Sequence, residues 1–428
     1  MLVQISSSPE LMREAMKILF VTRDKFPPFR PAAAAVFREE LPKRGHSIDW
    51  LAQSATASKK DVIAIKNGKV YVGSNTDRKG ILAVLLRNIA GFLNYLRVFW
   101  ILRSNDYDLV QVKDLYFPAL VVLLSCKINR IPFCYWLAYP HGESSIYKSK
   151  NGMTRHRVYY YLRGHLWRWV LYRILLPAAD HIFVQSEQMK LDLAKKGADP
   201  VLMTPIPGSL NLADIPYPVG DAQPDKSIAL GQFAVLYLGT LSRVRHLDFL
   251  LRSFSRVLLE NRNARLFMLG KGDEPEDDEY LKEVAEELGI SDSVVFTGHL
   301  PMNQAWQYIR SSAVCVSPYF PTPILNSTSP TKLIEYMAMA RPVIGNDHPE
   351  QRLVISQSGA GICVPYDESK FAEAIIKILS DPDTANKMGK KGREFVECYR
   401  TNSVMADIVE QTYESIGRLN IHEQDTIP

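Results

Sequence analysis

Lys332 and Glu335 lie three residues apart in the stretch NSTSPTKLIEYMAMARPVIGND (326–347), so they share one face of any helix that starts there. Ser329 is a good N-cap and Pro330 suits the first helical position. The pattern predicts a short helix whose first amides, those of Thr331 and Lys332, point outward unpaired with the positive helix end behind them, which attracts phosphate. The Lys332 ammonium could meet a diphosphate while the Glu335 carboxylate accepts hydrogen bonds from ribose hydroxyls. These types at this spacing suit a nucleotide-sugar pocket; an ordinary amphipathic helix with a solvated Lys–Glu pair is the alternative.

Further candidates follow short apolar runs. Gly239 closes FAVLYLG and opens a loop carrying Arg243 and Arg245, either of which could neutralise a departing diphosphate, with a basic surface loop as the bland reading. Gly270 and Gly272 flank Lys271 after ARLFML and permit close backbone approach. GKGDEP lacks both the third glycine and the helix of a dinucleotide fingerprint, which argues against a nicotinamide enzyme. His141, in YPHGES after PFCYWLAY, could assist an acceptor hydroxyl or hydrogen-bond a donor sugar, with Glu143 as an alternative base; a loop histidine without a catalytic role is the competing account. Asp106-Tyr107-Asp108 has the form of a divalent-metal triplet but precedes a strand instead of ending one. A surface turn is the better account, and no metal is expected if arginine and a helix terminus carry the diphosphate charge.

Residues 147–173 are crowded with Tyr, Trp, Arg and Lys, a mixture that favours an anionic membrane surface or a polyprenyl-phosphate-linked acceptor. Structural cover of a domain flank and single-stranded nucleic acid are the other readings. A net charge of only +5 gives no strong global attraction to nucleic acid, and none is expected as a partner. The five cysteines are scattered and never in CxxC spacing, which argues against a zinc site or disulfide framework and fits a cytosolic setting. The first 15 residues lack a long apolar core of the signal-peptide kind, and Met16, just before the KILFVT run, is a candidate start. The most apolar long run, 81–102, is broken by Arg87, Asn88, Asn94 and Arg97 and does not read as a membrane span.

These residues need a scaffold. A chain of 428 residues exceeds what one core organises, so two domains are expected. KILFVT, SIDWLAQ, DLVQVK, PFCYWLAY and HIFVQS alternate with helix-like segments, as do FAVLYLG, ARLFMLG, SVVFTG, AVCVSP and RPVIGN, which predicts two parallel sheets covered on both faces. Helices are expected at 246–261, 277–288, 303–312 and 331–339, and the acidic DEPEDDEY reads as a solvated loop. The boundaries expected are an extension at 1–15, a first domain at 16–205, a proline-rich linker at 206–230, a second domain at 231–395, and a final helix crossing back with a polar tail at 396–428. Ligands of such sheets bind beyond the carboxyl ends of the strands.

SPTKLIEYMAMARPVI, GTLSRVRHLDFLL, LGISDSVVFTGHLP and SGAGICVP, in this order and spacing, resemble the nucleotide-binding half of family 4 glycosyltransferases over about 233–376. KILFVTRD, LPKRGHSIDWL, DYDLVQVKD and ADHIFVQSEQMKLDL resemble the first half more weakly. The resemblance implies an α/β chain of GT-B type, two doubly wound Rossmann-like domains facing a central cleft. It also implies retaining, metal-independent transfer of a hexosyl group from a UDP- or GDP-sugar to a hydroxyl of a lipid-linked glycan. The work would serve surface-polysaccharide synthesis at the inner face of the cell membrane, with no cofactor beyond the donor. Arg245 and Lys332 would hold the diphosphate, Gly298 to Pro301 would border the base, and His141 would serve the acceptor side.

Three departures temper the carry-over. Thr240 stands where the family usually has an arginine, and Ser327 where many relatives have a glutamate eight places before Glu335, so Asn326 and Ser327 are candidate sugar contacts only. Alignment to the strand puts Ala138 nearer than His141 to the family histidine. The rival readings are a nucleotide-sugar epimerase of the same fold and a catalytically impaired, membrane-associated nucleotide-sugar-binding protein.

Overall fold

The computed structural model describes residues 15–26, 34–54, 61–73, 91–215 and 233–424. Residues 1–14 of the expected extension, most of the proline-rich linker and the last four residues lie outside these. Eight strands form the first sheet: β1 Lys17–Phe26, β2 Ser47–Ser54, β3 Asp61–Ile65, β4 Gly68–Val72, β5 Leu109–Lys113, β6 Phe133–Leu137, β7 His181–Val184 and β8 Met203–Pro205, in the order β3-β4-β2-β1-β5-β6-β7-β8. All neighbours pair in parallel except the β3–β4 hairpin. The second sheet is wholly parallel, with β9 Ala234–Leu238, β10 Arg265–Leu269, β11 Val294–Gly298, β12 Val314–Ser317, β13 Val343–Asn346 and β14 Gly361–Val364 in the order β11-β10-β9-β12-β13-β14.

Successive residues of a strand face opposite sides, so a sheet covered on both faces needs uninterrupted apolar runs. On β1, Leu19 and Val21 enter one core cluster while Ile18 and Phe20 enter another. On β9, Val235 and Tyr237 separate in the same way from Ala234 and Leu236. These are two doubly wound α/β domains.

The helices that matter for the site are α1 Phe117–Asn129, α2 His141–Lys150, α3 Arg157–Val170, α4 Glu187–Ala194, α5 Asp248–Glu260, α6 Pro275–Glu287, α7 Thr331–Ala338 and α8 Asn402–Gln424. The acidic stretch expected as a loop starts α6 instead. Glu274 and Asp277 form a reciprocal capping box, and the acidic first turn suits the positive helix end.

Two crossings join the domains and bond to each other. Leu210 N–H donates to Arg400 O at 3.1 Å, and Asn402 N–H to Leu210 O at 2.9 Å. Beyond this point α8 returns to the first domain, where Tyr413 Oη donates to Gln111 Oε1 at 2.6 Å. The buried Glu410 there is matched by Arg44 at 2.8 Å and His46 at 2.9 Å, which a fully desolvated carboxylate requires.

Candidate active site

The second domain gathers one site at the carboxyl ends of its strands. Beyond β9, Gly239 takes φ +150°, and a Cβ there would stand 2.9 Å from Lys332 Nζ and 3.1 Å from Tyr237 Oη. The missing side chain is what lets the lysine lie across the turn. Gly270 serves the same turn indirectly: its φ is +141°, and a Cβ would collide with Gly239 O at 1.9 Å, so its role is to let the two loops touch.

Helix α7 is pinned to this turn. Leu333, Ile334, Tyr336 and Met337 face the core, and Tyr336 Oη accepts the Leu238 N–H at 2.7 Å. The sequence placed Pro330 inside the helix with Ser329 as its cap. In the structure Pro330 occupies the N-cap position in extended conformation and no side chain caps the helix. Ser329 Oγ instead accepts Gly208 N–H from the interdomain crossing at 2.9 Å. The reason is tertiary: Gly208 packs directly on Ser329 and Thr331. The first amides of α7 still have no acceptor within the helix and no cap side chain to meet them.

Lys332 points inward, is 8% exposed, and its Nζ donates to Tyr237 Oη at 2.9 Å. The ammonium lies 4.1 Å from the Tyr237 ring centroid and 5.4 Å from that of Tyr319. Among the described residues it makes no other hydrogen bond and no ion pair. Burial first, then the nearby Arg245, hold its pKa well below the ordinary lysine value, with Glu335 opposing. Glu335 is mostly buried, its carboxylate meets no donor among the described residues, and burial raises its pKa while Lys332 lowers it. Arg245 joins the site, stacked 5.9 Å over the Tyr319 ring. Arg243 does not: it turns toward α6, 4.5 Å over the Tyr280 ring and 4.0 Å from Asp277. The helix Arg243–Arg245 is a single 3-10 turn, which sends the two arginines apart.

Ser327 is buried and reaches across the cleft. Its hydroxyl donates to Asp192 Oδ2 of α4 at 2.6 Å, and its carbonyl accepts Ser186 Oγ–H at 2.8 Å. Asn326 ends the short helix Pro323–Asn326, half-buried beside it. Thr331 is exposed at the mouth. The segment expected at the interdomain crevice therefore lies there.

Two family models divide the chain: "Glycosyltransferase Family 4" matches residues 34–214 and "Glycosyl transferases group 1" matches residues 232–381. The chain belongs to the family 4 glycosyltransferases. Among curated relatives of this transferase, the alpha-monoglucosyldiacylglycerol synthase of Streptococcus pneumoniae is 23% identical over 92% of this chain and 88% of its own. A D-inositol 3-phosphate glycosyltransferase of Streptomyces bingchenggensis is 22% identical over 57% and 56%. Two solved structures share the fold. Sucrose-phosphate synthase of Thermosynechococcus elongatus has a TM-score of 0.70 at 19% identity, covering 94% of this chain and all of its own. Anabaena HepE in complex with UDP and glucose has 0.65 at 14%, with the same coverage. The fold of the transferase is thus GT-B.

On the first domain, His141 begins α2, half-buried, with its ring edge-on to Tyr139 at 4.9 Å and to Trp167 of α3 at 6.4 Å. Glu143 is not a free base. Its Oε1 accepts from Tyr172 Oη at 2.5 Å and Lys196 Nζ at 2.9 Å, with Arg168 at 3.5 Å. The Asp106-Tyr107-Asp108 triplet lies at the amino end of β1, where Asp108 Oδ2 accepts Lys17 N–H at 2.6 Å, and so at the end of the sheet opposite the cleft. No group of three metal-ligating side chains occurs among the described residues. Sequence reasoning missed Tyr237, Tyr319, Ser186 and Asp192. Only Tyr237 carried a signal, a polar tip near the end of an otherwise aliphatic strand.

Proposed function

We propose that this transferase passes a hexosyl group from a UDP- or GDP-sugar to a hydroxyl of a lipid-linked acceptor, with retention at the anomeric carbon. The observation that supports it most is Lys332. A buried ammonium with a single hydrogen-bond acceptor is costly unless something else compensates its charge, and an incoming diphosphate would do so. Lys332, Arg245 and the open amides of α7 would together stabilise the charge that develops on the leaving diphosphate, and the acceptor hydroxyl would attack the anomeric carbon from the same face. Glu335 would take ribose hydroxyls. A solved neighbour holding UDP and glucose, and a relative named for a glucosylated diacylglycerol, agree with a nucleotide-sugar donor and a lipid acceptor.

Support for a membrane face comes from α3, whose apolar side faces away from the core. Val158, Leu162 and Trp169, about one helical face, are 72%, 62% and 56% exposed. The opposite side is closed by glycine: a Cβ on Gly164 would lie 2.6 Å from Ile146 and 2.8 Å from Gly142 O of α2. Residues 147–173 carry seven Lys and Arg and no Asp or Glu, so two copies packed through this face would repel, whereas anionic lipid would not. Trp100 and Ile128 are exposed on the same helical layer. Among the described residues no helix is long and apolar enough to cross a membrane.

The test is a thermal-shift panel of UDP- and GDP-sugars, followed by calorimetry on Glu335→Ala. One donor class should stabilise the enzyme and the variant should bind it more weakly; stabilisation by none, or unchanged binding in the variant, would refute the pocket. Sedimentation with anionic and neutral vesicles tests the membrane face, and equal behaviour with both would remove it.

A further inference from the structure

Among the described residues the only group that hydrogen-bonds Lys332 is a phenol, and this has chemical consequences. Tyr237 is fully buried, its ring set among Val235, Leu266 and Met268, and its hydroxyl emerges at the Gly239 turn. That oxygen accepts from Lys332 Nζ at 2.9 Å and donates to Thr240 O at 3.4 Å, tying the lysine to the same loop that Gly239 leaves bare. A carboxylate in this place would hold the lysine equally well but would neutralise it and compete with an incoming anion. A neutral phenol and two ring faces fix the ammonium while leaving its charge whole and two N–H bonds free. The charged and titratable groups facing Lys332 are Tyr237 on β9, Tyr319 after β12, Arg245 after β9 and Glu335 one turn along α7. None makes an ion pair with it.

We propose that Tyr237 is a positioning residue of the diphosphate site, holding the Lys332 ammonium over the Gly239 backbone as an uncompensated receptor for the donor. The inference rests on reading this site as a diphosphate receptor. Because the phenol accepts from the charged form of the lysine, it also favours that form, and its loss makes the lysine easier to deprotonate.

The experiment is calorimetric titration of the full chain with UDP and with GDP between pH 6 and 9, for the wild type, Tyr237→Phe and Lys332→Met. The wild type should bind one of the two nucleotides. Lys332→Met should bind about a hundredfold more weakly and Tyr237→Phe about tenfold more weakly, as loss of a hydrogen bond to a charged group allows. Tyr237→Phe should also lose affinity at lower pH than the wild type, a shift that a packing role would not produce. A Tyr237→Phe protein with unchanged affinity and pH profile, beside a Lys332→Met protein that has lost binding, would overturn the role of Tyr237 and leave the site standing. A Tyr237→Phe protein that melts much lower but keeps the wild-type pH profile would mark the residue as packing only and also overturn it. A wild type that binds neither nucleotide would overturn both readings.

Discussion

Helix α7 turns a lysine toward the core, while α3 turns valine, leucine and tryptophan toward solvent. Each reverses the usual partition of polar and apolar side chains, and each does so where the rest of its surroundings are conventional. On α7 the cation sits among Tyr237, Tyr319 and the bare Gly239 turn. On α3 the buried side is a glycine contact, and Arg163 lies 4.2 and 4.5 Å over the Tyr160 and Trp167 rings, so its charge flanks the apolar ridge without covering it. The contrast separates the two proposed receptors for an anion: the first is enclosed and would suit one small dianion, the second is open and would suit an extended surface.

The comparison breaks most sharply at Lys332. Lys332→Met should cut nucleoside-diphosphate affinity by about a hundredfold, or about 3 kcal/mol, while the thermal midpoint of the ligand-free protein holds or rises, because a desolvated charge with one acceptor has been removed. Calorimetry and melting measure the two, and a fall of several degrees without ligand would make Lys332 structural. On α3, the pair Leu162→Glu and Trp169→Glu should weaken binding to anionic vesicles by at least about a hundredfold, given roughly 1.5–3 kcal/mol for each fully buried apolar side chain, and leave UDP or GDP affinity untouched. Loss of both together would mean a damaged fold.

Salt and pH sharpen the same contrast with smaller effects. Raising salt from about 0.1 to about 0.5 M should weaken vesicle sedimentation several-fold more than nucleotide affinity, since exposed charges are screened and buried ones are not. The pKa of Lys332 is lowered by folding, so between that lowered value and its ordinary 10.5 the unfolded chain binds more protons than the folded one. Its contribution to the stability of the ligand-free protein is therefore complete above the ordinary value and lost as pH falls through the folded one. Diphosphate affinity should run the other way, weakening as pH rises and the ammonium is lost. Lys332→Met should flatten this part of both profiles, and melting and titration across pH 6 to 10 would show it.

The smallest effect is expected at Ser327. Its hydroxyl is engaged by Asp192 at 2.6 Å, so Ser327→Ala should cost about 1 kcal/mol of stability and change donor affinity less than about threefold. A larger loss with the intact nucleotide-sugar than with the free nucleotide would show that the hydroxyl meets the sugar after all.

Much of this arrangement was readable in advance. The strands bounded by KILFVT, DLVQVK, FAVLYLG and AVCVSP were clear because a sheet buried on both faces demands unbroken apolar runs. The β3–β4 hairpin was missed although Asn67-Gly68 is a strong turn signal, because its strand Asp61–Ile65 lies at the sheet edge, mostly exposed and without a buried run. The lysine and the glycine turn were legible as local chemistry. Local chemistry left Arg243 and Arg245 equivalent, and only the family resemblance favoured Arg245; their separation comes from a 3-10 turn and from Asp277 and Tyr280, which arrive from a different helix.

By itself the sequence determined the two-domain parallel architecture, the helix beginning near Thr331 and the presence of a lysine on it, because propensity, spacing and hydrophobic run length are properties of neighbours along the chain. Only the tertiary structure decided that Ser329 serves Gly208 instead of capping that helix, that a tyrosine and not a carboxylate holds Lys332, and that Ser327 belongs to a contact between domains. Those outcomes depend on which groups compete for one hydrogen bond once distant segments are packed together, and 95 residues separate Lys332 from Tyr237.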